Sequence, residues 1–202
     1  MSKKGQLTKA DYLPYDEFID FLNELRKDKQ YKWEAFATIA FATALRGGDV
    51  VMLKWCDVLD KDKIVINEQK TKKSRKIPLF ADTQKRIREI YSLSGESGID
   101  EYICSNNFGG AVSIQHINRV LKVFRDKYNL SIDAFSTHTF RKSFGRYVYE
   151  SKGRSAEALT LLNSIFNHTS IEVTKAYIGL RDDEKDKLFA MLFSKDLCYR
   201  GV

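Results

Sequence analysis

The chain has 202 residues, 43% hydrophobic and 30% charged, with three cysteines and a formal charge of +7. Such a composition can build a folded core and excludes a wholly disordered polymer. No apolar run reaches membrane-spanning length, and the opening MSKKGQLTK lacks the apolar centre of a signal peptide.

Cys56, Cys104 and Cys198 show no metal-ligand spacing, which fits a reducing, cytoplasmic setting. The excess positive charge fits a polyanionic partner, and its distribution says more than its size. Lys70, Lys72, Lys73, Arg75 and Lys76 fall within one short stretch.

Residues 1–13 read as a polar arm, and the rest as one continuous domain. Pro14 opens a helix, with acids in its first turn and Phe18, Phe21, Leu22 and Leu25 on one stripe. WEAFATIAFATAL is apolar nearly all round and predicts a buried central helix, ended by the turn at Leu45-Arg46-Gly47-Gly48. Asp49 is placed to cap a short helix after it. Arg46 stands where an apolar helix meets a turn; taken alone, it reads as a structural arginine satisfying backbone carbonyls.

KIVIN, residues 63–67, and RKIPL, residues 75–79, predict two strands of a hairpin whose tip holds the basic cluster. The plain interpretation of the tip is a solvated edge; the sharper one is a tip that reaches a nucleic acid. An amphipathic helix follows, with Ile87, Ile90 and Tyr91 inward, then a short strand at Tyr102–Cys104 and a loop at NNFGG. Ser113 caps a helix carrying Ile117, Leu121 and Phe124, with His116 on its outer side.

Thr137 is expected to cap the next helix, where His138 and Arg141 share one face at the N-terminal end. Alone, that pair reads as a surface pair. SAEALTLLNSIF predicts a helix with Ala158, Leu159, Leu162 and Ile165 inward. Ser170 caps a further helix that carries Tyr177, nine residues after His168. EKDKLFAMLF predicts a last helix. The class is therefore α+β and mostly α, with one small antiparallel β-hairpin.

The polar outliers are Arg46, Lys70, His138, Arg141, His168 and Tyr177. Arginines neutralise phosphodiester oxygens, a lysine can protonate an alkoxide, histidines move protons, and a tyrosine can be a covalent nucleophile. No Cys, His or carboxylate cluster suggests a metal, and no cofactor motif is present.

In order along the chain, these segments resemble the boxes of the tyrosine recombinases, the phage-integrase family. ALRGGDVVMLKWCDV is similar to the first arginine box and QKTKKSRKIPL to the hairpin lysine segment. HTFRKSFG is similar to the His-x-x-Arg box, and FNHTSIEVTKAYIG to the second histidine box ending in the tyrosine. Asp49 stands where the family usually has Glu and is expected to support Arg46. Asn167 replaces a common Gly before His168, and Asn tolerates the left-handed conformation.

The resemblance implies the tyrosine recombinase catalytic fold over 14–202, with no separate core-binding domain: a compact recombinase or a fragment of a longer integrase. It implies a metal-free transesterification in which Tyr177 attacks the phosphorus and forms a 3′-phosphotyrosine. Arg46 and Arg141 would hold the non-bridging oxygens, His138 would handle the tyrosine proton, His168 would donate to the phosphate and Lys70 would protonate the 5′-oxygen. The choice of Lys70 over Lys72 or Lys73 rests on its place after the strand and on the resemblance. Lys72, Lys73, Arg75 and Lys76 would contact the DNA backbone. The implied partners are double-stranded DNA with specific recombination sites and further copies of the chain, as a tetramer on DNA. The alternatives are type IB topoisomerase-like cleavage and resealing, or a DNA-binding regulator without catalysis.

Overall fold

The computed structural model describes residues 10–68, 74–95, 98–180 and 189–190. Lys70, Lys72, Lys73, Cys198 and most of the helix expected over 184–193 lie outside them. The chain divides into two compact units, Met1–Phe144 and Gly145–Val202.

The first unit is built on α1 (Tyr15–Lys27) and α2 (Tyr31–Thr43). The predicted stripe of α1, Phe18, Phe21, Leu22 and Leu25, is buried. Phe21 meets Phe135 edge-on at 5.3 Å, and Phe18 stacks on Phe41 at 4.3 Å. Aromatic pairs in these arrangements add to their burial energy. Ala10–Leu13, expected to be part of an arm, are instead held against later chain. Asp11 donates its N–H to the Ala134 carbonyl at 3.0 Å, and Leu13 donates to Ser143 Oγ at 2.7 Å. Leu13 is buried, so an apolar residue close to the helix start outweighs the polar composition before it.

The central α2 is buried over nearly its whole length, as its composition requires. Its one carboxylate, Glu34, is fully buried and lies 2.9 Å from Arg26 of α1. Arg86 of α4 (Ala81–Leu93) approaches the same oxygen at 2.9 Å. A buried charge persists only with such partners.

After α2 come the short α3 (Gly47–Val50), a single 3-10 turn at Trp55–Asp57, and the hairpin of β1 (Lys63–Asn67) and β2 (Ser74–Pro78). The strands are antiparallel, with Ile64 opposite Ile77 and Ile66 opposite Arg75. Within α4, Ile87 and Ile90 are buried, and Tyr91 packs on Trp55 at 5.0 Å. The strand expected at Tyr102–Cys104 is absent: isolated bridges join Lys54 to Tyr102 and Ser105 to Ala111. The segment turns too soon to form a ladder. Ser113 caps α5 (Ile114–Lys127) as expected, accepting from His116 N at 3.2 Å.

The boundary between the units falls within α6 (Thr137–Ser151). The second unit continues with α7 (Ala156–Phe166) and α8 (Ile171–Tyr177). In α7 the inward stripe is Ala158, Leu159, Leu162 and Phe166, with Phe166 in the place expected for Ile165. The bulkier ring fills more of the interior.

Candidate active site

In the first unit the turn after α2 gathers the cations. Thr43 ends the helix by turning its hydroxyl back to the Ile39 carbonyl at 2.6 Å. Ala44 then adopts the left-handed conformation, with φ 52°. Stopping the helix was expected of the glycines, but Ala44 does it. Gly47 and Gly48 begin α3 instead, with Arg46 at the N-cap position and Asp49 inside the helix.

Gly47 is needed for a different reason. A Cβ there would sit 2.6 Å from Cβ of Thr137, so only glycine lets the start of α6 come this close. Thr137 was expected to cap α6. It is instead the first helical residue, donating its N–H to Asn118 Oδ1 at 2.9 Å, and the cap is Ser136, whose hydroxyl accepts from His138 N at 3.3 Å.

One turn further along α6, Arg141 is only 2% exposed, which overturns its interpretation as half of a surface pair. Its Nη1 donates to the carbonyl of Ala44, across 97 positions of sequence. The backbone-carbonyl role expected for a lone Arg46 thus belongs to Arg141. His138, one turn before it, is half-buried.

Arg46 has a different partner. Its Nη1 lies 2.8 Å from Oε2 of Glu68, the residue following β1. The other oxygen of Glu68 lies 3.3 Å from Nη1 of Arg75 on β2. Both arginine side chains are 23% exposed, while that of Glu68 is 5% exposed. Sequence reasoning missed Glu68, because a polar residue next to a hairpin tip looks like solvated loop. Asp49, expected behind Arg46, is buried. Strand alternation separates the basic pair on β2: Arg75 turns toward Glu68, and Lys76 is exposed.

In the second unit the tyrosine has its own setting. Asn167 closes α7 in the left-handed conformation, φ 51° and ψ 49°, as its residue type allows. His168 N donates to the Asn163 carbonyl at 3.1 Å. Ser170 caps α8 as expected, accepting from Val173 N at 3.3 Å.

Inside this turn His168 Nδ1 lies 3.0 Å from Thr174 Oγ1, which in turn donates to Asn163 Oδ1 at 3.0 Å. Thr174 is fully buried. A hydroxyl that gives its hydrogen to Asn163 presents a lone pair to the imidazole, an arrangement compatible with a ring proton on Nδ1. Nε2 then accepts in the neutral ring and donates in the imidazolium.

Three rings complete the setting. His168 and Tyr177 meet edge-to-face at 5.1 Å, as do Phe166 and Tyr177 at 5.3 Å, and Phe166 and His168 lie tilted at 5.2 Å. Thr174 and Asn163 were not singled out from sequence. The signal was there for Thr174, which stands one helical turn before Tyr177.

Neither described thiol competes as a nucleophile. Burial pushes the Cys104 thiol up to about 12 and also raises Cys56, and thiol rather than thiolate is a poor nucleophile. Among the described residues, no group of three His, Cys, Asp or Glu side chains is arranged to hold a metal ion. No helix among them is long and apolar enough to cross a membrane.

Comparison with known proteins gives this arrangement a family. The sequence pattern of the Phage integrase family matches residues 11–184. The probable integrase/recombinase YoeC of Bacillus subtilis is 32% identical over 174 residues, covering 82% of this chain and 90% of that protein. A probable integrase/recombinase of Acholeplasma phage L2 is 27% identical over 161 residues, 78% of this chain but 51% of its own length. The chain thus spans most of one relative and about half of the other. The crystal structure of XerA recombinase shares the fold, with a TM-score of 0.68 at 21% identity over 89% of this chain and 64% of that one. With the family pattern running through nearly the whole chain and the family fold beneath it, the chain belongs to the phage integrase family: it is a tyrosine recombinase, an enzyme of DNA recombination.

Proposed function

We propose that this protein cuts and rejoins duplex DNA at specific recombination sites through a 3′-phosphotyrosine on Tyr177. The phenol oxygen attacks the scissile phosphorus, the P–O bond to the 5′-oxygen breaks, and that oxygen leaves as a 5′-hydroxyl once protonated. The bond energy stays in the phosphotyrosine, so a 5′-hydroxyl from a partner strand can reverse the attack and complete the exchange.

Arg46 and Arg141 bind the non-bridging oxygens and stabilise the charge that develops on them. His138 handles the phenol proton. His168, with Nδ1 engaged by Thr174, offers Nε2 to the phosphate and donates there as the imidazolium. Lys70 protonates the leaving oxygen. Lys72, Lys73 and Lys76 hold the DNA backbone, as does Arg75 beside its contact with Glu68. The exchange takes place between copies of the chain assembled as a tetramer on two DNA sites.

One observation carries this interpretation. Two arginines far apart in sequence are tied to one turn: Arg141 donates to the carbonyl of Ala44, and Arg46 follows that residue by two positions in the chain. Two fixed guanidiniums at a glycine-narrowed approach suit a single phosphodiester better than any neutral substrate.

The test is covalent capture. Nicked duplexes with a randomised core are incubated with the protein, denatured, and the protein-linked strands sequenced and digested. The expected result is a family of related sequences joined through a 3′-phosphate to the peptide that holds Tyr177. A 5′ linkage, or an adduct on another residue, overturns the mechanism.

A further inference from the structure

We infer that Glu68 is a positioning residue for strand cleavage, orienting Arg46 and coupling that orientation to the hairpin that carries the basic tip. The inference rests on the role proposed above for Arg46 as a phosphate-binding group.

The carboxylate is almost wholly buried, and each oxygen faces a different guanidinium, at 2.8 Å for Arg46 and 3.3 Å for Arg75. A carboxylate removed from water is costly unless charged donors satisfy it, and here two do so. It engages Arg46 through Nη1 alone among the contacts of the described residues. The rest of the planar fork, held in one plane by that contact, remains for a second acceptor.

Glu68 directly follows β1, and Arg75 lies on β2 opposite Ile66. One carboxylate therefore ties the turn after α2 to both legs of the hairpin, at the point where the chain leaves the ladder for the tip. A shift of the hairpin must move the Arg46 guanidinium or break a charged hydrogen bond.

Charge sets the sign of the effect. Glu68 sets one negative charge against the guanidinium proposed to bind the phosphate. Glu68 thus lowers the local attraction for DNA. A group that opposes binding yet holds a phosphate-binding side chain raises the rate without raising affinity. This predicts changes of opposite sign in the two quantities, which a general loss of packing does not produce.

The experiment uses a duplex recovered by the covalent capture above. Glu68→Gln keeps the size and removes the charge. Cleavage is measured in a single turnover at saturating protein, and DNA affinity is measured in a Tyr177→Phe background. The expected result is cleavage slowed about tenfold or more, with affinity unchanged or tighter. Arg75→Gln should also slow cleavage, and the double variant should be no slower than Glu68→Gln alone, because both act through one contact.

Thermal unfolding of each variant accompanies these rates. If Glu68→Gln does not fold, Glu68→Asp, which keeps the charge but shortens the reach, is read by the same two quantities. An unchanged cleavage rate overturns the inference, and so do rate and affinity falling together. If the wild type cleaves no duplex at all, the strand-cleavage function itself fails. If the wild type and Glu68→Gln cleave equally fast, only the role of Glu68 fails.

Discussion

The cationic region of the first unit and the tyrosine region of the second are held by different forces. Around Arg46 and Arg141 the supports are a buried carboxylate and a backbone carbonyl, reached across 22 and 97 positions of sequence. Around Tyr177 they include neutral hydrogen bonds and ring contacts between residues close in sequence, from Asn163 to Tyr177. The difference follows from what each region must hold. A guanidinium kept partly out of water needs an acceptor wherever the fold can supply one. A phenol needs orientation only, which one helix–turn–helix segment provides.

The largest expected effect falls on the local region. Tyr177→Phe removes the nucleophilic oxygen and little volume, so covalent capture should vanish while DNA binding stays near wild type. A detergent-resistant adduct formed by the Phe variant would transfer the nucleophile's role to another residue.

On the long-range side, Arg141→Lys keeps the charge but loses the planar fork. Cleavage should drop by roughly 10²–10³, the usual cost of an oxyanion donor, with a smaller loss of stability from the Ala44 carbonyl. If lysine serves as well as arginine there, charge and not fork geometry is what the site requires.

Thr174→Val conserves shape and removes the hydroxyl between His168 and Asn163. Cleavage should slow by about 10-fold to 100-fold, as expected when a positioned proton carrier loses its orientation. The pH–rate profile should change shape too, because the ring loses the hydroxyl that engages its Nδ1. A profile identical to wild type would show that the threonine is only a packing residue.

Both regions depend on one glycine of close approach. At Gly145 a Cβ would lie 2.7 Å from Ile178 Cγ2 and 2.8 Å from Phe166 Cζ. Gly47→Ala and Gly145→Ala should each cost about 1–3 kcal/mol by overpacking, measured by denaturant unfolding. They should separate in activity. Gly47→Ala disturbs the seat of the arginines, and Gly145→Ala the rings around the tyrosine. Equal and negligible losses would mean that both sites relax freely.

The last effect is absent at neutral pH and appears only in alkali. Burial raises the Cys104 thiol from its ordinary 9.0 to about 12. Below pH 9 the thiol is protonated in the folded and unfolded states alike, and pH does not act through it. Above pH 9 the unfolded chain loses the proton first, so stability should fall by about 1.4 kcal/mol per pH unit until the folded pKa is reached. Replacing Cys104 with Ala should remove its share of that slope, and native Cys104 should resist alkylation at pH 8.

What could be read from the amino-acid order was mostly local. The helix stripes, the Ser113 and Ser170 caps, the hairpin pairing and the left-handed Asn167 all rest on interactions between near neighbours. The step from His168 to Tyr177 was legible for the same reason, since a helix–turn–helix segment of that length brings its own ends together. The tertiary structure alone decided the rest. Ala44 reverses the chain where the glycines were expected to, because the close approach of Thr137 reserves Gly47 for packing. Ser136 takes the cap expected of Thr137, which is drawn inward to Asn118. Arg141 is buried because a carbonyl 97 positions away needs its donor, and Glu68 is buried because two arginines converge on it. Local order carries periodicity and turn chemistry. It carries no record of which distant charge a buried group will meet, because that pairing exists only once the core has brought the elements together.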